Sequence, residues 1–469
     1  MVFSSIVFLF LFFPAVLAIY YGLLRKNRSR NLLLLAASLL FYAWGEPVYV
    51  LLMIGSTIGN YFFGVWTDRY REQQTKIKWI LISMLVFNLG ILGVFKYAGF
   101  AVNMVNKAFS LDLTVPEIAL PIGISFFTFH GISYVIDIYK RKAEALKNPL
   151  DVGLYISFFP QLVAGPIVRF STIAKEINGR KENESDFVSG IVRFIEGMAI
   201  KVLLANSFAL VADKAFSLQG DQLSVAFAWM GAVAYALQIF FDFAGYSAMA
   251  IGLAKMFGFH FLENFNAPYV SKTVSEFWRR WHISLGSWFR DYVYIPLGGS
   301  RVSKWKIVRN LFVVWFLTGL WHGASMTFIA WGLYFFVFIM IEKLFKLEAF
   351  FGKFKVLGHV YLLVVVLFGW VLFRATSFTH AMEYIRSMFG MNGNELMGDM
   401  ARLYLNENLV LFIAGIIFCL PFKTWIQERQ IKLNLGVRSL YGVALTVVFF
   451  LSIAYLVKGS YNPFIYFNF

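Results

Sequence analysis

Two histidines stand where an imidazole could act as a catalytic base, and His322 has the more unusual surroundings. It is the twelfth residue of the run 311–341, in which 31 residues carry no formal charge. Counted along one helix at about 1.5 Å per residue, His322 would lie about 18 Å into a hydrocarbon core about 30 Å thick. An ionisable residue at that depth indicates function, whereas the structural alternative is a neutral histidine that hydrogen-bonds two helices. Gly319 and Gly323 bracket it and predict a kink or a close backbone approach.

The second candidate, His282, belongs to the stretch SEFWRRWHISLGSWFRDYVYIPLGG (275–299). Its five charged residues would be costly in an ordinary lipid-facing span. Four apolar side chains recur at helical spacing and predict one stripe along a helix: Trp278, Trp281, Leu285 and Trp288. Glu276 and Arg280, four residues apart, are predicted to pair on another face. The pattern predicts an amphipathic or re-entrant segment, in which His282 is either a site residue or an interfacial histidine.

Acyl transfer is a reaction that a neutral imidazole serves well. A hydroxyl must lose its proton as it attacks a thioester or ester carbonyl, and a base with a pKa near the operating pH accepts that proton most effectively. A second polar group can orient the base or the carbonyl. The sequence contains no G-x-S-x-G, H-E-x-x-H or G-x-x-x-x-G-K-[ST] pattern, so an elbow-type serine hydrolase, a metalloprotease and a P-loop ATPase lack their signatures.

The composition indicates the environment in which these residues must be positioned. Hydrophobic residues make up 59% of the 469 residues and charged residues 14%, whereas soluble domains average about 45–50% and about 25%. These values predict an all-α, polytopic membrane protein and exclude a secreted domain, a cytosolic enzyme and a disordered chain. The net charge of +16 fits basic cytoplasmic loops and does not require nucleic acid as a partner. With one cysteine, Cys419, an internal disulfide and a cysteine zinc cluster are excluded.

The apolar runs also predict how the chain is arranged. A membrane-spanning helix needs about 20 apolar residues, which leaves room for roughly ten to thirteen membrane-embedded helices in a single domain, 1–469. The first apolar run is followed rather than preceded by basic residues, which indicates a retained span instead of a signal peptide. Three basic stretches, 25–30, 67–78 and 139–147, are predicted to be cytoplasmic by the positive-inside rule. A tight turn at 45–47 is predicted to separate two spans.

Six sequence landmarks follow one another between residues 121 and 325. They are PIGISFFTFHGISYVIDIY (121–139), PQLVAGPIVR (160–169), FFDFAGYSAMAIG (240–252), NFNAPY (264–269), the stretch 275–299 and LTGLWHGAS (317–325). Together they resemble the membrane-bound O-acyltransferase family, and most closely its bacterial branch, which includes the membrane subunit of alginate O-acetylation. The N-terminal VFSSIVFLFLFFP (2–14) resembles the same branch.

The resemblance implies a fold and a reaction. Helices would ring a central funnel or tunnel that opens to both membrane faces, with re-entrant or amphipathic segments. His322 falls on the family's near-invariant intramembrane histidine and His282 on the second histidine of the bacterial branch, so the two would meet at the site. An acyl thioester, with acetyl-CoA as the expected donor, would enter from the cytoplasm, and no metal or permanently bound cofactor is implied.

The resemblance also implies partners and a location. The acetyl group would pass to an extracytoplasmic acetyltransferase or directly to a polysaccharide such as alginate. The protein would lie in the inner (cytoplasmic) membrane as a multi-pass protein. It would contact the lipid bilayer on its outer surface and would bind no nucleic acid.

Further residues in the landmarks are weaker candidates for binding the donor or the substrate. Arg279 and Arg280 suit the phosphates of a CoA donor, and the alternative is an ion pair with Glu276 or a contact with lipid headgroups. The other candidates are Gln161, Asp242, Tyr246, Asn266 and Trp321. Asp242 and Tyr246 are four residues apart and are predicted to share a helix face. Because a buried polar side chain generally has a hydrogen-bond partner, structural roles for these residues stay open.

Several other functions are alternatives to acetyl transfer. Within the family these are D-alanyl transfer to teichoic acids, in which the donor is a small carrier protein, and acetylation of peptidoglycan or cellulose. Outside the enzymes the alternative is a transporter or channel. Transporters often carry midplane carboxylates and inverted repeats, whereas the run 311–341 holds a histidine and no carboxylate, and no internal repeat is visible. The sequence therefore favours an enzyme.

Overall fold

The computed structural model describes residues 1–163, 165–421, 435–459, 461–463 and 465. Ala164, in the landmark 160–169, lies outside the described residues. Within the described ranges the secondary structure is helical and contains no β-strand, which confirms the all-α prediction. The chain forms two compact units, Met1–Phe194 with Tyr246–Leu262 and Ile195–Gly245 with Glu263–Phe469. We call the first the N-unit and the second the C-unit.

The N-unit is built from helices joined by short connections. Its α-helices are Phe13–Leu17, Asn27–Ala43, Tyr49–Tyr70, Gln74–Leu92, Ala98–Phe109, Ile124–Tyr139, Pro149–Ser157, Phe159–Leu162 and Phe170–Gly179, with π-helical turns at Phe8–Phe12, Ala18–Leu23 and Gly93–Tyr97. The predicted turn at 45–47 is confirmed, because one helix ends at Ala43 and the next begins at Tyr49. The side-chain amides of Asn60 and Asn88 exchange hydrogen bonds of 3.0 and 2.9 Å, which satisfies both buried groups between two apolar helices.

The C-unit carries both candidate histidines. Its α-helices are Asn206–Ser217, Val274–Arg280, Ile283–Phe289, Lys304–His322, Met326–Leu344, Leu347–Lys353, Lys355–Arg374, Phe378–Met388, Asp399–Phe418 and Leu435–Lys458, with π-helical turns at Ile200–Ala205 and Arg290–Tyr294 and 3₁₀ turns at Gly220–Gln222 and Pro268–Val270. Helices Glu184–Ala199 and Val225–Met256 contribute residues to both units. Aromatic side chains are prominent in the core of the C-unit, where Trp331, Phe335 and Trp370 are at most 1% exposed.

Eight helices in the described part of the chain are long and apolar enough to cross a membrane. They are Tyr49–Tyr70, Gln74–Phe109, Glu184–Ser217, Val225–Met256, Met326–Leu344, Lys355–Arg374, Asp399–Phe418 and Gly436–Lys458. These helices confirm the predicted class, a polytopic membrane protein. The predicted range of ten to thirteen membrane-embedded helices also includes shorter apolar segments, such as Phe8–Leu23.

The uncharged run 311–341 folds as a helical hairpin, so the depth of His322 calculated along one helix is wrong. The helix Lys304–His322 ends at His322 itself. Gly323 then adopts an extended backbone, with φ 176° and ψ 156°, and the chain turns back into the helix Met326–Leu344. The absence of charge permits either one long span or two helices, and the choice depends on how the two halves pack.

Small residues allow the two helices of this hairpin to pack closely. A Cβ atom on Gly319 would lie 2.5 Å from the carbonyl oxygen of Phe328, and one on Gly332 would lie 2.4 Å from the carbonyl oxygen of Trp315. Real side chains do not tolerate such distances, so only glycine fits at either position. The close backbone approach predicted at Gly319 is therefore confirmed.

The stretch 275–299 is not a simple span, as predicted, but it is also not one continuous helix. The chain leaves the helical conformation at Trp281 and His282, between the helices Val274–Arg280 and Ile283–Phe289. His282 has φ 45° and ψ 53°, a left-handed conformation that redirects the backbone between the two short helices. The prediction of a single helical stripe is wrong for this reason.

Candidate active site

A small cavity in the C-unit brings the two candidate histidines together. It has a volume of ≈ 20 Å³ and is lined by Ile239, Phe243, Trp281, His282, His322, Trp331, Trp370, Phe373 and Ile465. A cavity of this size has room for about one water molecule. The fold thus places two histidines from distant parts of the sequence around one small, largely aromatic space.

Aromatic rings pack around His322 at the end of its helix. The imidazole is 7% exposed, and its ring centroid lies 4.8 Å from Trp331 and 5.2 Å from Phe373, with near-perpendicular rings in both pairs. Trp331 comes from the second helix of the hairpin and Phe373 from the helix Lys355–Arg374. The helix end at His322 is therefore packed from two sides by the hydrophobic core.

His282 is buried and held by a side-chain amide. It is 2% exposed, and its Nδ1 lies 3.2 Å from Oδ1 of Asn264. The same oxygen accepts hydrogen bonds from the backbone N–H and the hydroxyl of Ser284, at 3.1 and 2.9 Å. A backbone N–H can only donate, so the atom that faces it is the amide oxygen, and a hydrogen bond from His282 to this oxygen places the proton on Nδ1. The hydroxyl of Ser284, which donates to the same oxygen, lies 3.4 Å from Nδ1. A neutral imidazole in this tautomer carries its basic lone pair on Nε2.

The backbone around His282 is paired with the segment that carries Asn264. The N–H of Ile283 donates to the carbonyl oxygen of Asn264, and the N–H of Asn266 donates to that of Arg280, both at 2.9 Å. One hydrogen bond on each side of His282 therefore holds the left-handed turn between the two short helices. This arrangement positions the imidazole without requiring a long helix.

The helix that precedes His282 is anchored at its first turn. Thr273 and Glu276 form a capping pair, in which the Thr273 hydroxyl accepts a 3.0 Å hydrogen bond from the Glu276 N–H. The buried carboxylate of Glu342 accepts from the N–H and the hydroxyl of Ser275, at 2.9 and 2.6 Å, and also from the N–H of Val274. An anion at a helix N-terminus is stabilised by the unpaired N–H groups there.

Trp321 connects the two histidines. Its ring centroid lies 4.8 Å from that of His322 and 5.9 Å from that of His282, and its side chain is buried. A base in such surroundings can accept a proton from a hydroxyl while little water competes for the reaction. Of the predicted site residues, His282, His322 and Trp321 are the three that lie together.

Arg279 and Arg280 line a second, more open cavity in the C-unit. It has a volume of ≈ 390 Å³ and is lined by Lys272, Thr273, Glu276, Arg279, Arg280, Glu348 and Gly352. Arg280 pairs with Glu276 at 3.0 Å, as predicted, and Arg279 pairs with Glu348 at 2.8 Å. Three cationic and two anionic side chains leave the cavity with one net positive charge.

Asp242 and Asn266, predicted from the landmarks, make other contacts in the C-unit. The carboxylate of Asp242 lies 3.1 Å from Nζ of Lys201 and accepts a 3.0 Å hydrogen bond from the N–H of Ile465. Asn266 is exposed and contacts Arg280 through its backbone carbonyl oxygen, which accepts a 3.3 Å hydrogen bond from the guanidinium. Neither side chain lines the histidine cavity.

Gln161 and Tyr246 belong to the N-unit, so the structure does not group them with the histidine cavity. The side-chain amide of Gln161 donates to the carbonyl oxygen of Tyr155. The ring of Tyr246 stacks on Phe3 with centroids 4.5 Å apart. Both contacts are those of buried packing residues.

Two further histidines serve as hydrogen-bonding residues elsewhere. In the N-unit, His260 lies 2.8 Å from Glu176 and 3.2 Å from Asp186. Burial lowers its pKa, but the hydrogen bonds to these two carboxylates outweigh burial and hold the pKa above its ordinary value. In the C-unit, Nδ1 of His359 lies 2.9 Å from the carbonyl oxygen of Ser271. Among the described residues no group of three His, Cys, Asp or Glu side chains is arranged to hold a metal ion.

Several residues of this region were not predicted from the sequence. They include Asn264, Lys201 and Ile465, and also five lining residues of the cavity: Ile239, Phe243, Trp331, Trp370 and Phe373. Asn264 is the first residue of the landmark NFNAPY (264–269). Its place in a landmark is the one sequence feature that could have identified it as a site residue. Lys201 and Ile465 lie outside all six landmarks, so no local pattern singled them out.

Comparisons with known proteins agree with this architecture. The sequence pattern that defines the membrane-bound O-acyltransferase family, MBOAT, matches residues 64–382. Over its full length the chain is 39% identical to the whole of a Pseudomonas putida protein named probable alginate O-acetylase AlgI. It is also 31% identical, over its full length and 98% of the relative, to a peptidoglycan O-acetyltransferase of Helicobacter pylori. A teichoic acid D-alanyltransferase of Bacillus subtilis is 32% identical over 55% of this chain and 70% of its own.

The matched range covers both candidate histidines and eight of the nine residues that line their cavity. It contains His282, His322 and all six landmarks. The two full-length relatives both carry the names of O-acetylating enzymes. The chain therefore belongs to the membrane-bound O-acyltransferase family and is a multi-pass membrane O-acyltransferase.

Proposed function

We propose that this enzyme moves an acetyl group from cytosolic acetyl-CoA to an extracytoplasmic polysaccharide, with alginate as the first candidate. The transfer is either direct or passes through an extracytoplasmic acetyltransferase. The cavity shared by His282 and His322 carries the proposal, because it places two buried imidazoles beside a space of ≈ 20 Å³, which is about the size of a water molecule or a methyl group. The full-length likeness to a protein named alginate O-acetylase supports the choice of acceptor.

In the proposed reaction the acceptor hydroxyl attacks the thioester carbonyl. A C–O bond forms and the C–S bond breaks, while the hydroxyl proton passes to His322 and then to the departing thiolate. His282 is the partner that orients the base or the carbonyl. The rings of Trp321, Trp331 and Phe373 limit the access of water, which would otherwise hydrolyse the thioester.

The proposed direction is supported by charge. The basic stretches 25–30, 67–78 and 139–147 favour a cytoplasmic position under the positive-inside rule, and they would attract an anionic donor to that face. A cytosolic thioester and an extracytoplasmic polymer lie on opposite faces of the inner membrane. A single protein that transfers an acyl group between them would therefore lie in that membrane. Orientation and location are therefore part of the same proposal.

The cavity at Arg279 and Arg280 is the proposed site for the phosphates of the donor. Guanidinium groups match phosphate geometry, and the lining has one net positive charge. Arg280 lies two residues before His282 in the sequence, so the donor cavity and the histidine cavity are formed by consecutive parts of one segment.

Replacing Arg280 with glutamine is expected to raise the KM for acetyl-CoA about tenfold with little change in kcat. The reason is that a hydrogen bond to a charged group contributes about 1.5–3 kcal/mol, and a bond to the distant phosphates is the same in the ground and transition states. The measurement is the release of free CoA thiol by purified enzyme in detergent. Arg290→Gln is the control, because this arginine is 61% exposed, pairs with Asp291 and does not line the cavity. A KM unchanged by Arg280→Gln would show that this cavity does not bind the phosphates of the donor.

Replacing Asn264 with alanine is expected to lower kcat at least about tenfold. The substitution removes the hydrogen bond that positions the ring of His282 and the two that Ser284 makes to the same oxygen, and each lost hydrogen bond costs about 0.5–1.5 kcal/mol. The KM for the donor should change little. Asn266→Ala is the matched control two residues away, because its side chain is exposed. If both variants lose activity equally, or if neither does, the bond between Asn264 and His282 is not part of the catalytic arrangement.

Peptidoglycan is the second candidate acceptor, because the Helicobacter pylori relative with that name matches the full length of the chain. D-alanyl transfer is supported by a likeness over 55% of the chain. Donor and acceptor can be tested together in inside-out membrane vesicles that contain the enzyme and any partner acetyltransferase. We expect radiolabel from acetyl-CoA added outside, on the former cytoplasmic face, to appear on alginate oligomers trapped inside. Label on peptidoglycan fragments alone would change the acceptor, and transfer only from a D-alanyl carrier protein would contradict the proposed donor.

A further inference from the structure

One wall of the histidine cavity comes from a distant part of the chain. Eight of its nine lining residues lie between positions 239 and 373, and the ninth is Ile465. Ile465 is 7% exposed. Together with residues 461–463 it forms the last part of the chain that the structure describes, and we call these four residues the C-terminal segment. The side chain of Ile465 therefore closes a space that the other eight residues form on their own helices and turns.

Hydrogen bonds to a buried ion pair hold this segment in place. Nζ of Lys201 lies 3.1 Å from Oδ1 of Asp242, and the two side chains are 1% and 3% exposed. Lys201 also donates to Oδ1 of Asn206 and to the carbonyl oxygen of Pro463, both at 2.7 Å. The other carboxylate oxygen of Asp242 accepts a 3.0 Å hydrogen bond from the N–H of Ile465.

The ion pair and the segment depend on each other. A buried pair is stable only when further hydrogen bonds satisfy its remaining donors and acceptors. Two of those hydrogen bonds go to the backbone on either side of position 464, at Pro463 and Ile465. Lys201 and Asp242 therefore fix the position of the Ile465 side chain at the cavity.

We propose that Ile465, positioned by the Lys201–Asp242 pair, limits the transferred acyl group to acetyl size. This proposal rests on the proposed function, in which an acyl-CoA is the donor. A cavity of ≈ 20 Å³ holds little more than the end of a two-carbon acyl group, and a longer chain would have to displace part of the wall. Five of the other eight lining side chains are large aromatic rings and two are the histidines themselves. Of the two aliphatic lining residues, Ile239 lies within the long helix Val225–Met256, whereas Ile465 belongs to the C-terminal segment, which is held by the ion pair.

The test compares kcat/KM for acetyl-CoA and butyryl-CoA, measured as CoA thiol release by purified enzyme in proteoliposomes. Ile465→Ala is expected to raise the butyryl-to-acetyl ratio at least about tenfold, because one methylene in an apolar pocket changes selectivity by about 10-fold or more. Ile465→Val, which removes one methyl group, should shift the ratio in the same direction by less. Leu362→Ala is the control, since Leu362 is fully buried in the same unit but does not line the cavity.

The role of the ion pair is tested with the double variant Lys201→Met/Asp242→Leu. It removes both charges together, so that neither remains buried without its partner. We expect its butyryl-to-acetyl ratio to rise as in Ile465→Ala, because Pro463 and Ile465 lose the groups that hold them. The ratio does not depend on the amount of folded protein, so a purely structural defect would lower both rates and leave the ratio unchanged.

The outcomes distinguish the size limit set by Ile465, the positioning role of the ion pair and the proposed acyl-CoA donor. A raised ratio in Ile465→Ala and in the double variant supports both the size limit and the positioning role. If the wild type releases thiol from acetyl-CoA and the ratio is unchanged in Ile465→Ala, the size limit is wrong and the proposed function stands. An unchanged ratio in the double variant alone removes the positioning role of the ion pair. If the wild type uses no acyl-CoA, the proposed donor and the size limit are both wrong.

Discussion

Replacing His322 with glutamine is expected to lower acyl transfer about 10²–10⁴-fold, the usual contribution of a general base. Glutamine is polar and of similar size, but its amide cannot accept a proton at neutral pH. The ring contacts of His322 with Trp331 and Phe373 are apolar packing, so the variant should still accumulate in the membrane. The measurement is the acetyl content of the polymer in cells that produce the variant, normalised to the amount of enzyme in the membrane.

His359→Gln is the matched control for this prediction. His359 is a histidine of the same unit that contacts the carbonyl oxygen of Ser271 and does not line the cavity. Glutamine can still donate a hydrogen bond to that oxygen, so nearly full acetylation is expected. A His322→Gln enzyme that accumulates normally and acetylates at nearly the original rate would make His322 a packing residue.

Replacing His282 with alanine is expected to reduce acyl transfer at least about 100-fold, because the partner imidazole that orients the base or the carbonyl is lost. The alanine variant alone does not separate chemistry from structure. His282 has a left-handed backbone with φ 45°, and alanine tolerates that conformation poorly. A shifted turn would therefore contribute to the loss of activity.

His282→Asn separates the two effects. Asparagine adopts the left-handed conformation more readily than most residues, and its amide N–H can donate to Oδ1 of Asn264. The turn and the hydrogen bond should therefore persist while the imidazole is removed. We expect His282→Asn to fold like the wild type and to remain severely impaired in a thiol-release assay. Nearly full activity would show that His282 only organises the turn and that His322 acts alone.

The fold class could be predicted, and the two histidines could be selected as candidates, because the signals for both are local in the sequence. The high apolar content indicates a helical membrane protein, and both histidines lie in short stretches of unusual composition. The hairpin in 311–341 could not be predicted in the same way, since an uncharged run fits one span or two helices equally well. The contacts of Gly319 and Gly332 with the opposite helix decide the outcome, and such tertiary contacts leave no periodic pattern.

The surroundings of the histidines were less predictable, because they depend on partners that are distant in sequence. Asn264 holds His282 across 18 positions, and Ile465 meets Asp242 across 223 positions. Asp242 was predicted as a candidate for binding the donor or the substrate, whereas its contact with Lys201 was not predicted, because Lys201 lies in a π-helical turn outside all six landmarks. The sequence can therefore identify Asp242 as a candidate, whereas only the packed structure shows that its carboxylate holds the backbone of Ile465.

In the proposed mechanism His322 promotes the cleavage of an acyl thioester in the cavity that it shares with His282. The most direct measurement is the release of CoA thiol from acetyl-CoA, with an alginate oligomer as acceptor, by purified wild-type and His322→Gln enzyme in proteoliposomes. Equal melting temperatures would establish that both proteins are folded. We predict acceptor-dependent thiol release by the wild type and at least about a 100-fold lower rate for His322→Gln. Equal rates for the two folded proteins would contradict the claim.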